Sequence, residues 1–305
     1  MSHATPLRGV FAAALTPFDA DLEPDLPAFV AHCRWLLENG CDGLAPLGTT
    51  GEANSLSTRQ KIRMLEALAI AGLPLSRMVV GTGTASLAES VEMTRLARAM
   101  GCGGCLVLPP FYYKNPTEDG VFAFFAELAE RVGDPNLRLY LYHFPQMSAV
   151  PVTIPVIGRL KERFGDVVAG LKDSSGDWSN TAAILDAFPG FGVFSGSEQY
   201  LTDNLAKGGA GCISATVNAT APHAAGVLRG GPEAGRLQAE TTAARLAIQK
   251  FNLIGALKEI KAAATGDDGW RRCLPPNRPL APAAAAELMA AVADQPALAR
   301  ALGRA

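Results

Sequence analysis

Apolar positions along this chain fall into two alternating patterns. The first is a set of short runs in which nearly every residue is apolar or small. They are "GVFAAALTPF" from Gly9, "DGLAPLGTT" from Asp42, "RMVVGTGT" from Arg77, "GGCLVLPP" from Gly103, "LRLYLYHFP" from Leu137, "VVAGLKDSS" from Val167, "FGVFSGSE" from Phe191 and "GAGCISATVN" from Gly209. The second pattern fills the gaps, in segments such as "LPAFVAHCRWLLENG", "STRQKIRMLEALAIAG" and "SLAESVEMTRLARAMG". There the apolar residues return every three or four positions and a glycine follows the last of them, which predicts amphipathic helices. In the third such segment Ser86 is placed to cap the start and Gly101 lies just past the end.

Runs that are apolar on both faces are expected of parallel strands covered by helices. Eight strand–helix units are evenly spaced between Gly9 and Asn218, and no GxGxxG turn follows the first strand; "GTGT" after the third is not that fingerprint. These features favour a closed (β/α)8 TIM barrel over an open doubly wound sheet. Strand signals stop after Gly230-Gly231-Pro232, so residues 1–230 are expected to form the barrel and 231–305 a C-terminal helical region, with a further break at "CLPPNRP".

Charge changes the picture by exclusion. With 27 basic and 29 acidic residues in 305, nothing points to nucleic acid or an acidic membrane surface as partner. No apolar run is long enough to span a bilayer. The opening "MSHATPLRGV" lacks the layout of a signal peptide, and a cytoplasmic location is expected. Of six cysteines only Cys102 and Cys105 form a close pair. Without a second ligand pair, and leading into "LVLPP", they read as a buried strand start rather than a redox or zinc site.

In a (β/α)8 barrel, chemistry gathers at the C-terminal ends of the strands. This selects Gly48 to Glu52 after the second strand, Tyr112, Tyr113 and Lys114 after the fourth, Tyr142, His143 and Gln146 after the fifth, and Lys172 at the end of the sixth. Lysine is among the residues least often buried, so one that ends a core strand calls for a reason. A lysine drawn into a barrel mouth loses hydration, which favours the neutral amine needed to attack a carbonyl. The competing accounts are an ion pair with Asp173 or a side chain reaching out to solvent. Lys61, Lys161, Lys258 and Lys261 fall in helical polar patterns and are expected on solvated faces. Tyr142 ends the neighbouring strand, where its phenol could relay protons; Tyr140, two residues earlier on the same face, reads as core. "GTTGE" offers two hydroxyls and several backbone N–H groups in a turn suited to a carboxylate or phosphate. A plain tight turn with threonine as helix cap is the alternative.

Together these residues resemble the dihydrodipicolinate synthase / N-acetylneuraminate lyase family of pyruvate-dependent class I aldolases. The likeness runs in order through "LTPF", "PLGTTGE", "VVGTGT", "PPFYYK", "LYLYHFP", "GLKDSSG" and "GCISATVN". It implies a (β/α)8 barrel with C-terminal helices, a homotetramer, and no metal or organic cofactor. It further implies that Lys172 forms a Schiff base with pyruvate or another 2-keto acid and that Tyr142 relays protons. Thr49 would hydrogen-bond Tyr142, and Thr50 with the neighbouring backbone at Gly48 would hold the carboxylate. Tyr113, or Tyr112, would complete the relay from the adjacent subunit, and Ile213 would stand at the pocket wall through its backbone.

One position departs from the family pattern. True synthases of this type carry an arginine five residues after the relay tyrosine, and here Met147 stands there. A thioether cannot replace a guanidinium as a carboxylate anchor. His143 and Gln146 offer neutral hydrogen-bonding groups instead. The expected activity is therefore cleavage of a 2-keto-3-deoxy sugar acid to pyruvate and an aldehyde. Alternatives are 4-hydroxy-tetrahydrodipicolinate synthase, a sugar-acid dehydratase using the same imine, and a non-catalytic pyruvate sensor.

Overall fold

The computed structural model describes residues 7–299 and 301–303. Eight strands form in the predicted runs: β1 Gly9–Ala12, β2 Gly43–Leu44, β3 Val79–Gly81, β4 Gly104–Val107, β5 Leu139–His143, β6 Val168–Asp173, β7 Gly192–Ser195 and β8 Gly211–Ser214. Every pairing is parallel, in the order β2-β1-β8-β7-β6-β5-β4-β3. A parallel bridge between Leu44 and Met78 joins the two ends, so the sheet closes into a barrel.

The barrel interior is filled from the bottom by aromatic rings. Phe11 packs edge-on against Phe194 with centroids 5.3 Å apart, and Tyr140 lies 5.8 Å from Phe194. These large rings need bare backbone opposite them. A Cβ at Gly104 or at Gly170 would stand 2.6 Å from the Tyr140 ring, so the strands on either side of β5 carry glycine at those positions. The side chains of Ala13, Ala45, Leu106, Tyr142 and Ile213 complete this inner core. Because side chains alternate along a strand, the outward set packs instead under the surrounding helices. Leu139, Leu141, Leu171 and Val193 belong to that outer core with Phe29, Leu36, Met64, Leu65 and Phe125.

Helices begin where local chemistry predicts. Asp25 caps Leu26–Glu38, Ser57 forms a reciprocal capping box with Gln60 at Thr58–Ile70, and Ser86 accepts from the Glu89 N–H at the head of Leu87–Ala99. Gly40, Gly72 and Gly101 beyond their ends all have positive φ, the backbone region glycine occupies without strain. The close cysteine pair is buried, with thiols held protonated: burial pushes Cys102 up to about 11 and Cys105 up to about 12. Among the described residues no helix is long and apolar enough to cross a membrane, and no cluster of His, Cys, Asp or Glu could hold a metal ion.

Beyond Gly230 the chain is helical, in Ala234–Ile248, Leu253–Thr265 and Pro282–Val292. These helices share an apolar core with the barrel top, in which Leu15, Ala215 and Ala219 meet Ala244, Ile248, Ala256, Leu257 and Ile260. That packing brings the start of Leu253–Thr265 to the mouth of the barrel.

The expectation of solvated lysines fails for two lysines of this region and for one of the barrel helix Thr58–Ile70. Lys258 is fully buried, and Lys61 and Lys261 are buried as well. A helical period marks which positions share a face, but it does not say whether a second layer covers that face. Lys258 is ion-paired to Glu52, and Lys261 lies over the Trp35 and Trp270 rings, 4.5 and 5.6 Å from their centroids.

Candidate active site

β5 and β6 pair so that Tyr142 lies directly beside Lys172. Both side chains point inward and both are buried, at 4% and 5% exposure. The Lys172 Nζ donates to the Tyr142 hydroxyl at 3.2 Å and stands 4.4 Å from the Tyr142 ring centroid. Among the described residues no carboxylate lies within 4.0 Å of Lys172, which excludes the ion pair with Asp173 as an account of this lysine. The Asp173 side chain points to the other face. There it accepts from the Ser175 N–H at 2.8 Å, Asn180 Nδ2 at 2.8 Å and the Thr181 hydroxyl at 2.7 Å.

Above the pair opens a cavity of about 320 Å³. Lys172, Tyr142, Thr49 and Thr50 line its floor side, Phe144 and Met147 one wall, and Ser195, Ser197 and Ala215 the wall from the following strands. Arg245, Asn252, Leu253, Ile254 and Asn277 from the C-terminal region close the rim. Phe144 stacks on Tyr142 at 5.7 Å, which fixes the phenol's plane.

The "GTTGE" turn is built by close backbone approach. A Cβ at Gly81 would overlap the Leu47 carbonyl, and one at Gly51 would come 2.9 Å from the Ala14 carbonyl oxygen. The Thr16 hydroxyl of "LTPF" donates to the Gly51 carbonyl at 2.8 Å. Within the turn, Gly51 N–H and Ala53 N–H donate to Gly48 O, and Glu52 N–H to Thr49 O. This leaves the N–H and hydroxyl groups of Thr49 and Thr50 without protein acceptors among the described residues, at the cavity wall. Converging unspent donors of this kind suit an anion.

The other predicted site residues fall differently. His143 is on the outward face of β5, where alternation must put the neighbour of an inward Tyr142. Its Nδ1 accepts from the Val152 N–H at 3.0 Å, and burial pushes its pKa down, keeping it neutral. Gln146 is exposed and donates to the Ser175 carbonyl, so neither it nor His143 lines the cavity. Both are corrected as substrate contacts. Ile213 lies in the barrel's inner core, and Ala215, two residues on, lines the cavity in its place. Gly48 faces a small second pocket with Thr49 and Tyr142. The hydrogen bond to the Tyr142 hydroxyl comes from Lys172, and none joins it to Thr49. Tyr112 and Tyr113 pack edge-to-face at 5.3 Å on an exposed loop away from the cavity.

Reading the sequence missed the contribution of the C-terminal helices. Arg245 is held by the Ser214 hydroxyl at 3.1 Å and the Thr216 hydroxyl at 3.2 Å, and lies 3.7 Å from the buried Glu198. Glu198 also accepts from the hydroxyls of Ser214, Thr216 and Thr220. No local motif marks Arg245. Asn252 was detectable in principle, as an Asn ahead of an apolar helical run, and it does cap Leu253–Thr265 through the Gly255 N–H.

Comparison with known proteins agrees with this geometry. A family model described as the dihydrodipicolinate synthetase family matches residues 6–295. An uncharacterized DapA-like lyase of Chloroflexus aurantiacus is 37% identical over 255 residues, covering 82% of this chain and 85% of the relative. A 4-hydroxy-tetrahydrodipicolinate synthase of Saccharophagus degradans is 34% identical, covering 70% of this chain and 71% of its own. The crystal structure of dihydrodipicolinate synthase from Agrobacterium tumefaciens superposes with a TM-score of 0.88 at 30% identity, over 94% of this chain and 99% of that one. Fold, site and sequence lead to one conclusion: the chain belongs to the dihydrodipicolinate synthetase family, lyases of the class I aldolase type.

Proposed function

We propose that the protein is a Schiff-base aldolase that cleaves a 2-keto-3-deoxy acid to pyruvate and an aldehyde. The observation that carries this is a buried Lys172 with a phenol and, among the described residues, no carboxylate at its amine, facing a cavity that presents unspent donors from Thr49 and Thr50. The amine adds to the substrate ketone, and the carbinolamine hydroxyl leaves as water with the Tyr142 proton, giving a protonated imine and a Tyr142 phenolate. Tyr142 takes the proton of the C4 hydroxyl while the C3–C4 bond breaks. The bonding pair flows into the imine to form an enamine, and the aldehyde departs. Tyr142 returns that proton to C3, and water then hydrolyses the imine, releasing pyruvate and restoring the Lys172 amine and the Tyr142 phenol. Thr49 and Thr50 hold the carboxylate, so imine and hydroxyl stay aligned for cleavage.

Support for a polyhydroxylated chain comes from the cavity lining, where Tyr200, Ser197, Asn252, Asn277 and Arg245 offer hydrogen-bonding groups, not from His143 or Gln146. Met147 lines the cavity, half-exposed, at the position where the synthases carry an arginine. The 34% identity to a 4-hydroxy-tetrahydrodipicolinate synthase keeps that reaction as the second reading. Tyr113 enters as a relay residue from a neighbouring copy in a tetramer, which its exposure permits. The test is product identification with a panel of 2-keto-3-deoxy sugar acids, and with pyruvate plus aspartate semialdehyde. Pyruvate and an aldehyde from a sugar acid are expected. Condensation with aspartate semialdehyde alone would select the synthase, and a dehydrated keto acid without released pyruvate would select the dehydratase.

A further inference from the structure

Glu52 ends the "GTTGE" turn, and its surroundings are unlike those of a loop carboxylate. Its exposure is 3%, its backbone is left-handed with φ at 56°, and its side chain leaves the barrel for the C-terminal region. One oxygen is ion-paired with Lys258, which is fully buried in the helix Leu253–Thr265. The other accepts from the Leu274 N–H at 2.8 Å and from Asn277 Nδ2 at 3.2 Å. Lys258 in turn donates to the Arg272 carbonyl at 2.6 Å and stands 4.2 Å over the Phe18 ring of "LTPF".

The four segments joined here all lead to the cavity. Thr49 and Thr50 lie three and two residues before Glu52, and Asn252 caps, and Leu253 and Ile254 begin, the helix that carries Lys258. Asn277 touches both the carboxylate and the cavity, and Thr16 holds Gly51 from the "LTPF" side. Removing two charges from water is expensive and a well-packed apolar pair would hold the same layers together at least as well. Stability alone therefore gives weak reason for a buried ion pair at this place. What a hydrogen-bonded pair supplies, and apolar packing does not, is one fixed register between the two segments.

We propose that Glu52 and Lys258 are positioning residues: their buried pair locks the Thr49–Thr50 turn to the C-terminal helix, so that the carboxylate site has its binding geometry only when that helix is seated. This rests on the reading of Thr49 and Thr50 as holders of the 2-keto acid carboxylate. Neither Glu52 nor Lys258 lines the cavity, so neither touches substrate.

The experiment is borohydride trapping of the Lys172 adduct across a range of pyruvate concentrations, with circular dichroism and thermal melting as the check on folding. Glu52→Gln keeps the shape and one acceptor; where it leaves Lys258 too poorly compensated to fold, the double variant E52Q/K258Q buries no charge and replaces it. Lys258→Gln breaks the pair from the other side, and Lys258→Arg, which keeps the charge, is its rescue arm. Folded Glu52 variants and Lys258→Gln should need at least tenfold more pyruvate for half-maximal trapping, with the adduct at saturation still on Lys172, and Lys258→Arg should lose much less than Lys258→Gln. Half-saturation within twofold of wild type in folded variants overturns the positioning role and leaves the Schiff-base reading intact. Wild-type protein that traps no pyruvate overturns the Schiff-base reading itself, and this inference with it.

Discussion

At the scale of single residues, the protein treats its buried ionisable groups in two ways. Lys172 is placed where a substrate can reach it, and Tyr142 is its partner. Tyr142→Phe keeps the ring stacking on Phe144 but removes the hydroxyl proposed to relay protons, so turnover should fall by roughly 10²–10⁴-fold. The Lys172 adduct should still form at long reaction times, as steady-state assay beside trapping would show. His32 is the opposite case, a group buried for packing. Asn218 Nδ2 donates to the Ala13 and Ala215 carbonyls, which fixes the amide so that Oδ1 faces His32. His32 Nε2 must then donate to that oxygen, at 2.8 Å, and Nδ1 has no partner among the described residues. Protonating Nδ1 would bury an unpaired N–H. Burial first, and the Lys261 charge second, lower its pKa to about 3, against the bond to Asn218. The unfolded chain, with histidine near 6.5, therefore binds a proton that the folded one refuses. Stability should fall as pH drops from 6.5 toward 3, by a few kcal/mol at the order of magnitude. Melting curves between pH 7 and pH 4 check this: His32→Phe should flatten the acid slope, and an unchanged slope would exclude His32 as its source.

At the scale of elements, the sequence was most informative where one rule acted alone. All eight strands form in the apolar runs, and Ser86 and Gly101 bound their helix as the capping pattern predicts. Strand alternation was equally available, and it already implied that His143 must face away from an inward Tyr142. The hydrogen-bonding capacity of His143 is therefore directed at the Val152 N–H behind the strand and not at the cavity. The glycines opposite Tyr140 tell the same kind of story. Their need is visible only when a ring on one strand meets bare backbone on the next. Gly170→Ala would bring a methyl group 2.6 Å from the Tyr140 ring and onto the Gly192 carbonyl. Overpacking of this sort costs about 1–3 kcal/mol, and chemical denaturation should show a loss of that size without a change of fold.

At the scale of the whole molecule, the division into barrel and appendage conceals how the site is made. Lys172, Tyr142, Thr49 and Thr50 were legible because each sits at a strand's C-terminal end or in the turn that follows it, where a (β/α)8 barrel gathers its chemistry. Arg245, Asn252, Asn277 and the Glu52–Lys258 pair were not, because helical periodicity does not reveal which face a later layer will cover. Lys258 has the polar spacing of a solvated lysine and is in fact fully buried. The central claim, that this architecture makes Lys172 an imine-forming nucleophile, has one direct test. The protein is incubated with pyruvate, reduced with borohydride, digested, and its peptides are sequenced by mass spectrometry. The account predicts a single stable three-carbon adduct on Lys172, absent in Lys172→Ala. No adduct, or an adduct on another lysine such as Lys261, would contradict it.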